Sequence, residues 1–418
     1  MTELSSTGPN ANVSVPARSA WALTATAFSV MVVDGFDTAA ISYVAPTLAL
    51  KWQVSPSSLG PAFVMTSIGA VLGYLASGFA VCRFGRRLVV AVAMACFSIL
   101  SFASVLASSV WEMAVLRLFT AFFLGLVVPA IIAGVSMAVS EARRSRMTAT
   151  VATGMSVGAA AGGAISAILI ERLNWESVFV IGGVLPLILL PAVFRNMRDD
   201  LPLGQPAHQD LSAQARVDLP PASMRSLFRS PYRYSTALIG GISCLGFFVA
   251  YALLFWMPTL LTSFGFSPAS AALGTMAVSA GGGLGSLLLI ASARKFSVEG
   301  TLILLLIVGV PCFAIMGTVP LHGNGVVLFF STFIGAATGT ICIGQSVLAV
   351  RAYPLSLRTT GVGFASAAGR AGAIFGPGAV GALVSSGMRA QEVLLWCVVP
   401  CAALIGLLIL LKTRSRLS

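Results

Sequence analysis

The chain has 418 residues, of which 57% are hydrophobic and 9% charged, with a formal net charge of +12. A soluble globular domain carries roughly a quarter of its residues as charged side chains, so this composition excludes a soluble fold. The two histidines and seven cysteines show no metal spacing, and no GxxxxGK[ST] phosphate loop occurs, which argues against an enzyme or an ATP-driven pump.

In chain order, the first twenty residues are polar and lack an apolar h-region, so they do not read as a cleavable signal. Beyond them, long apolar stretches recur at 21–50, 58–80, 88–108, 111–139, 147–170, 175–194, 233–262, 269–293, 299–319, 325–350, 359–385 and 391–411. Such stretches are the mark of membrane-spanning helices, and the alternating polarity of a β-barrel is absent. The expected fold is an all-α membrane protein of twelve transmembrane helices. The basic residues orient it. With the N-terminus in the cytoplasm, twenty of the 25 fall in cytoplasmic segments and only Lys51, Arg172 and Arg389 fall outside, a positive-inside bias that puts both termini in the cytoplasm. The positive charge therefore reads as topology and contact with anionic lipid, not as a nucleic-acid footprint.

Shifted by 212 residues, the sequence matches itself: Pro46-Thr47-Leu48 meets Pro258-Thr259-Leu260, and Ser67, Gly69 and Gly73 meet Ser279, Gly281 and Gly285. The predicted organisation is an N-terminal six-helix bundle (1–194), a charged cytoplasmic linker (195–232) and a C-terminal six-helix bundle (233–418). Transporters are built from such repeats, with the substrate site at mid-membrane between them.

Of the thirteen acids, only Asp34 and Asp37 lie deep in a span. An acid there usually faces a cavity or pairs with a cation, and residues three apart share a helix face. Arg117 and Arg370 are the two basic residues within spans. We expect Arg117 to partner the aspartate pair as the proton-coupling group and Arg370 to bind an anionic substrate. Gln345, polar in an apolar helix, and the rings of Tyr43, Tyr251 and Trp256, with Phe36, Phe248 and Phe255, are candidates to contact that substrate. The stretch GYLASGFAVCRFGRR (73–87) joins spans two and three. Its Gly73, Arg83, Gly85 and Arg86, with Glu141, Arg144 and Arg358, are expected to form a cytoplasmic gate.

The stretches DGFDTAAISYVAP, GYLASGFAVCRFGRR, RLFTAFFLG and GQSVLAVRAYPLSLRTTGVGFASAAGRAGAIFGP resemble the major facilitator superfamily, and within it the bacterial aromatic acid:proton symporters. The resemblance implies that Asp34 and Asp37 are important for transport, and it extends the family's charged positions to Arg117, Glu141 and Arg370. One departure is Cys82, where the loop motif usually carries aspartate. The resemblance further implies a multi-pass monomer of the bacterial inner membrane that takes up a benzoate-like, hydroxybenzoate-like or arylpropionate-like anion with protons, driven by the proton gradient without a cofactor. A drug or other organic-anion antiporter of the same fold is the alternative. Exporters of that kind favour a Gly-Pro pair in span five, where this chain has Ala159 in GMSVGAAAGG.

Overall fold

A computed structural model describes residues 17–138, 141–197, 224–292, 295–319, 321 and 323–414, with the backbone alone at 17–20, 141–146, 355, 356 and 359. Among these residues, twelve helices are long and apolar enough to cross a membrane. They are α1 (Ala17–Lys51), α2 (Gly60–Phe84), α3 (Arg86–Ser104), α4 (Val110–Ala138), α5 (Glu141–Arg172) and α6 (Glu176–Asn196), followed by α7 (Arg233–Thr262), α8 (Leu273–Ser292), α9 (Val298–Thr318), α10 (Asn324–Ala352), α11 (Leu355–Ser385) and α12 (Ala390–Arg414). The chain is thus an all-α, multi-pass membrane protein. The middle of the expected linker, 198–223, lies outside the described residues.

With no water in the bilayer core, each span must satisfy its own backbone, which a helix does. The hydrophobic effect does not distinguish lipid from a leucine-lined neighbour, so small residues and close packing decide which helices touch. The repeat shows this twice. A Cβ on Gly69 would collide with Leu118 O, and one on Gly73 with Phe122 O, which presses α2 against α4. Their repeat mates Gly281 and Gly285 press α8 against α10, against Thr332 O and Ala336 O. Likewise α1 lies on α5 through Gly35 against Met155 O and Gly158 against Val32 O. Large apolar side chains such as Leu75, Phe79, Ile99 and Ile188 point outward, as a lipid-facing surface requires.

The connection between α2 and α3 is shorter than the sequence suggests. Helix α2 continues to Phe84, and only Gly85, at φ 82°, breaks it before α3 begins at Arg86. Gly73 is therefore no part of a cytoplasmic loop. It lies twelve residues, or about 18 Å, along α2 from that turn, where its lack of a side chain serves packing.

The first six helices meet the last six along α1–α7, α2–α11 and α5–α8. Several of these contacts lie toward the end that carries the α1–α2 and α7–α8 connections. Ser42 Oγ is 3.3 Å from Thr275 Oγ1, Gly60 meets Gly381, and Gly163 packs on Ala272 and Met276. An aromatic plug completes this closure: Phe63 stacks on Phe255 at 5.4 Å and edge-on against Trp256 at 5.0 Å.

Candidate functional site

Asp34 and Asp37 are 2% and 1% exposed, but they serve different surroundings. Three residues on a helix leave side chains about 60° apart, enough to place them on opposite sides of a seam between neighbours. Asp37 looks into the first six helices. Its Oδ2 lies 3.5 Å from Arg117 Nη1, and its Oδ1 accepts a 2.7 Å hydrogen bond from Ser101 Oγ. Gly182 on α6 leaves room for that carboxylate, since a Cβ there would come within 2.9 Å of Oδ1. Arg117 Nη2 donates to Ser104 Oγ at 2.9 Å and to Thr120 Oγ1 at 3.2 Å, and its guanidinium lies 4.9 Å from the centre of the Phe179 ring. This pair is sealed, oriented and embedded in one bundle.

Asp34 looks the other way, into a small chamber of about 20 Å³ whose walls include Thr38, Thr66, Ser67, Tyr74, Tyr251 and Arg370. Among the described residues its buried Oδ2 has no hydrogen-bond partner. Among the described residues Arg117 is ion-paired with Asp37 and not with Asp34, which differs from the expectation of a carboxyl couple sharing one arginine; Asp34 instead shares its chamber with Arg370.

Arg370 sits midway along α11, a helix so rich in small residues that it lies flush on α7. A Cβ on Gly372 or Gly376 would collide with Cys244 O or Phe248 O. Its guanidinium carbon lies 3.7 Å from the centre of the Tyr74 ring, a distance at which a cation is held by the ring's negative face. Nη1 donates to Tyr251 Oη at 3.3 Å. Among the described residues no carboxylate lies within 4 Å of it.

The chamber adjoins a larger cavity of about 260 Å³ and shares Thr38, Tyr74, Met155, Tyr251 and Arg370 with it. Helices from both ends of the chain supply its walls: α1, α2, α4 and α5 on one side, α7, α8, α10 and α11 on the other. Phe247 stacks on Tyr251 at 5.8 Å within it, while Ser279, Thr338 and Cys342 add small polar groups. Sites for drug-sized ligands run from roughly 300 to 1,000 Å³, so this cavity suits a single ring with a short substituent. Among the described residues no group of His, Cys, Asp or Glu side chains is placed to hold a metal ion.

The remaining expected site residues are dispersed. Tyr43 is buried beneath the cavity wall, donating its hydroxyl to Ala159 O at 2.9 Å. Trp256 belongs to the plug and donates Nε1 to Pro377 O at 2.9 Å. Gln345 accepts from Ser243 Oγ at 2.8 Å, tying α10 to α7. None of the three is among the residues that line the cavity, because each turns its polar atom to a neighbouring helix instead. Of the expected gate, Arg86 lies along Gly134 and donates to Met137 Sδ at 3.4 Å. Arg83 is exposed, and Arg358 is half-buried in the first turn of α11. The side chains of Glu141 and Arg144 lie outside those described. Tyr74, Met155, Thr338 and Cys342 were not singled out from the sequence. A tyrosine within a span, carrying a hydroxyl into lipid, was the one signal that could have found Tyr74.

Comparison with known proteins agrees with this geometry. Residues 27–377 match the family model described as Major Facilitator Superfamily. The "4-hydroxybenzoate transporter PcaK" of Pseudomonas putida is 32% identical, over 93% of this chain and 92% of its own. The "Gallate transporter" of the same species is 30% identical over 88% and 86%. The "3-(3-hydroxy-phenyl)propionate transporter" of Escherichia coli is 31% identical over 93% and 94%. Among solved structures, the xylose transporter XylE from E. coli in an inward open conformation superposes with a TM-score of 0.72 at 18% identity, over 93% and 95% of the two chains. A bacterial homolog to human lysosomal transporter Spinster, inward-facing and unoccupied, gives 0.72 at 16% over 96% and 98%. With twelve apolar helices, a cavity walled by both ends of the sequence and a family match across most of its length, the chain belongs to the major facilitator superfamily and is a transporter, not an enzyme.

Proposed function

We propose that this transporter imports a small aromatic carboxylate together with protons, by alternating access across the bacterial cytoplasmic membrane, with both termini inside. The observation that carries this reading is the Arg370 guanidinium, which is held in the cavity wall over the Tyr74 ring and faces a space the size of one aromatic acid. A planar fork of donors suits a carboxylate, and the Tyr74, Phe247 and Tyr251 rings suit the aromatic body. Relatives that carry gallate, 4-hydroxybenzoate and hydroxyphenylpropionate make phenolic acids the substrate class to try first.

Coupling follows from electrostatics in a medium of low dielectric. Asp34 and the substrate carboxylate border one guanidinium, and two anions beside one cation repel each other strongly there. Protonation of Asp34 removes that repulsion, so the anion and the proton are favoured together. Asp37 and Arg117 hold α1 in register while this happens. The plug of Phe63, Phe255 and Trp256 closes the end that carries the α1–α2 and α7–α8 connections, and the cavity extends the other way, toward Ile132, Ala152, Ser286 and Ile343, which is the cytoplasmic side under the proposed topology. No cofactor enters the scheme; the proton gradient supplies the driving force.

Proteoliposomes with an alkaline interior should concentrate labelled 4-hydroxybenzoate or gallate, and a protonophore should abolish the accumulation. Uptake indifferent to the gradient would end the symport reading, and gradient-driven efflux would favour the antiporter.

A further inference from the structure

At the end of the molecule opposite the aromatic plug, a second cavity of about 560 Å³ lies between α8, α9 and α12. It shares no wall with the central site. Two lysines, Lys295 from the α8–α9 turn and Lys412 from the last turn of α12, enter its walls with the hydroxyls of Ser292, Ser297 and Thr301. Gly300 opens the floor: a Cβ there would lie 3.5 Å from Lys412 Nζ. The ammonium group therefore sits over the first turn of α9, a 21-residue helix whose N-terminal end is itself positive. Ser297 Oγ caps that end by accepting from Gly300 N at 3.1 Å. The acid of the same turn, Glu299, is buried and is not part of the cavity wall. Positive charge is thus concentrated where a helix already favours an anion.

The rim has the opposite character. Leu288, Phe296 and Leu304 border the cavity and are 48%, 65% and 57% exposed; Leu288 and Leu304 belong to membrane spans and Phe296 to the turn between them. A free anion has no use for such a rim. A phosphodiester whose acyl chains descend along α8 and α9 uses both features, and basic pockets between spans on the cytoplasmic side are suited to anionic headgroups.

We infer that this cavity binds the phosphate of an anionic phospholipid of the inner leaflet, held by Lys295, Lys412 and the hydroxyls of Ser292 and Thr301. Those two hydroxyls lie 3.0 Å apart and already join α8 to α9. The headgroup extends that link to α12 and ties the three helices together where they leave the membrane.

The test is native mass spectrometry of the purified full chain with phosphatidylglycerol, with phosphatidylethanolamine of the same acyl chains, and with inorganic phosphate. Wild type should retain phosphatidylglycerol in preference to the other two. Each Lys→Gln substitution should lower its retention about fivefold, or about 1 kcal/mol per lysine. K295R/K412R should retain it, and Arg389→Gln, at the other end of the molecule, should leave retention unchanged. The Lys→Arg pair and the single variants decide the matter if K295Q/K412Q does not fold. Undiminished phosphatidylglycerol retention in the Gln variants would overturn the site. Equal retention of the two lipids, or binding of inorganic phosphate alone, would overturn its assignment to an anionic lipid.

Discussion

Asp37 and Arg117 form an ion pair at 3.5 Å in which neither side chain is more than 2% exposed. Hydrogen bonds from Ser101 and to Ser104 and Thr120 fix both ends. Removing one member of a buried pair leaves an uncompensated charge and costs about 3–5 kcal/mol. Asp37→Asn should therefore lower the thermal midpoint of the purified protein markedly, and Asp37→Asn with Arg117→Gln should recover much of the loss. A double variant no more stable than the single one would mean the pair does not act as a unit.

Asp34 has a different predicted phenotype. Among the described residues its carboxyl has no ion-pair partner within 4 Å, and its chamber contains Arg370. Asp34→Asn should leave the protein as stable as wild type and still able to exchange labelled for unlabelled substrate across the membrane, while gradient-driven accumulation disappears. Wild-type uptake should rise as external pH falls at constant internal pH, since the proton is a co-substrate, and the variant should lose that dependence. Normal accumulation by Asp34→Asn would remove this residue from the coupling mechanism.

Arg370 should tolerate neither Gln nor Lys. A charge-assisted hydrogen bond contributes about 1.5–3 kcal/mol, which corresponds to roughly a 10- to 150-fold weaker substrate affinity when it is lost. Lysine keeps the charge but not the planar fork, nor its stacking on Tyr74. Binding measured by calorimetry with 4-hydroxybenzoate should show the drop in both variants. Unchanged affinity in Arg370→Gln would move the anion site elsewhere.

The contact between α1 and α5 makes a prediction free of charge. Gly35 and Gly158 each face a backbone carbonyl of the opposite helix, Met155 O and Val32 O. An alanine at either position forces the helices apart, and overpacking of this kind costs typically 1–3 kcal/mol. Gly35→Ala and Gly158→Ala should each lower the thermal midpoint, while Gly406→Ala, which would meet nothing within 4 Å, should not. Equal stability of all three would show that α1 and α5 slide past each other freely.

The buried charges of α1, α4 and α11 were visible in the sequence because a charge in a lipid-length apolar run is costly wherever it points. Asp34, Asp37, Arg117 and Arg370 stood out for that reason alone. The aromatic residues did not, because a ring is equally at home in lipid, in a helix seam or against a substrate. Tyr43, Tyr251 and Trp256 read alike as sequence, and only Tyr251 lines the cavity. Gln345 stood out by polarity as well, but its amide oxygen accepts from Ser243 on the neighbouring helix and the residue does not line the cavity.

Hydropathy, the basic bias and the 212-residue repeat by themselves determined the twelve spans and their expected direction, because insertion into lipid reads each segment almost independently of the others. Which of two neighbouring aspartates meets an arginine of its own bundle, and which shares a chamber with one from the far end of the chain, depends on a rotation of about 60° on α1. That rotation is set by where Gly35 and Gly158 let α1 and α5 touch, a relation between distant segments that appears only once they are packed.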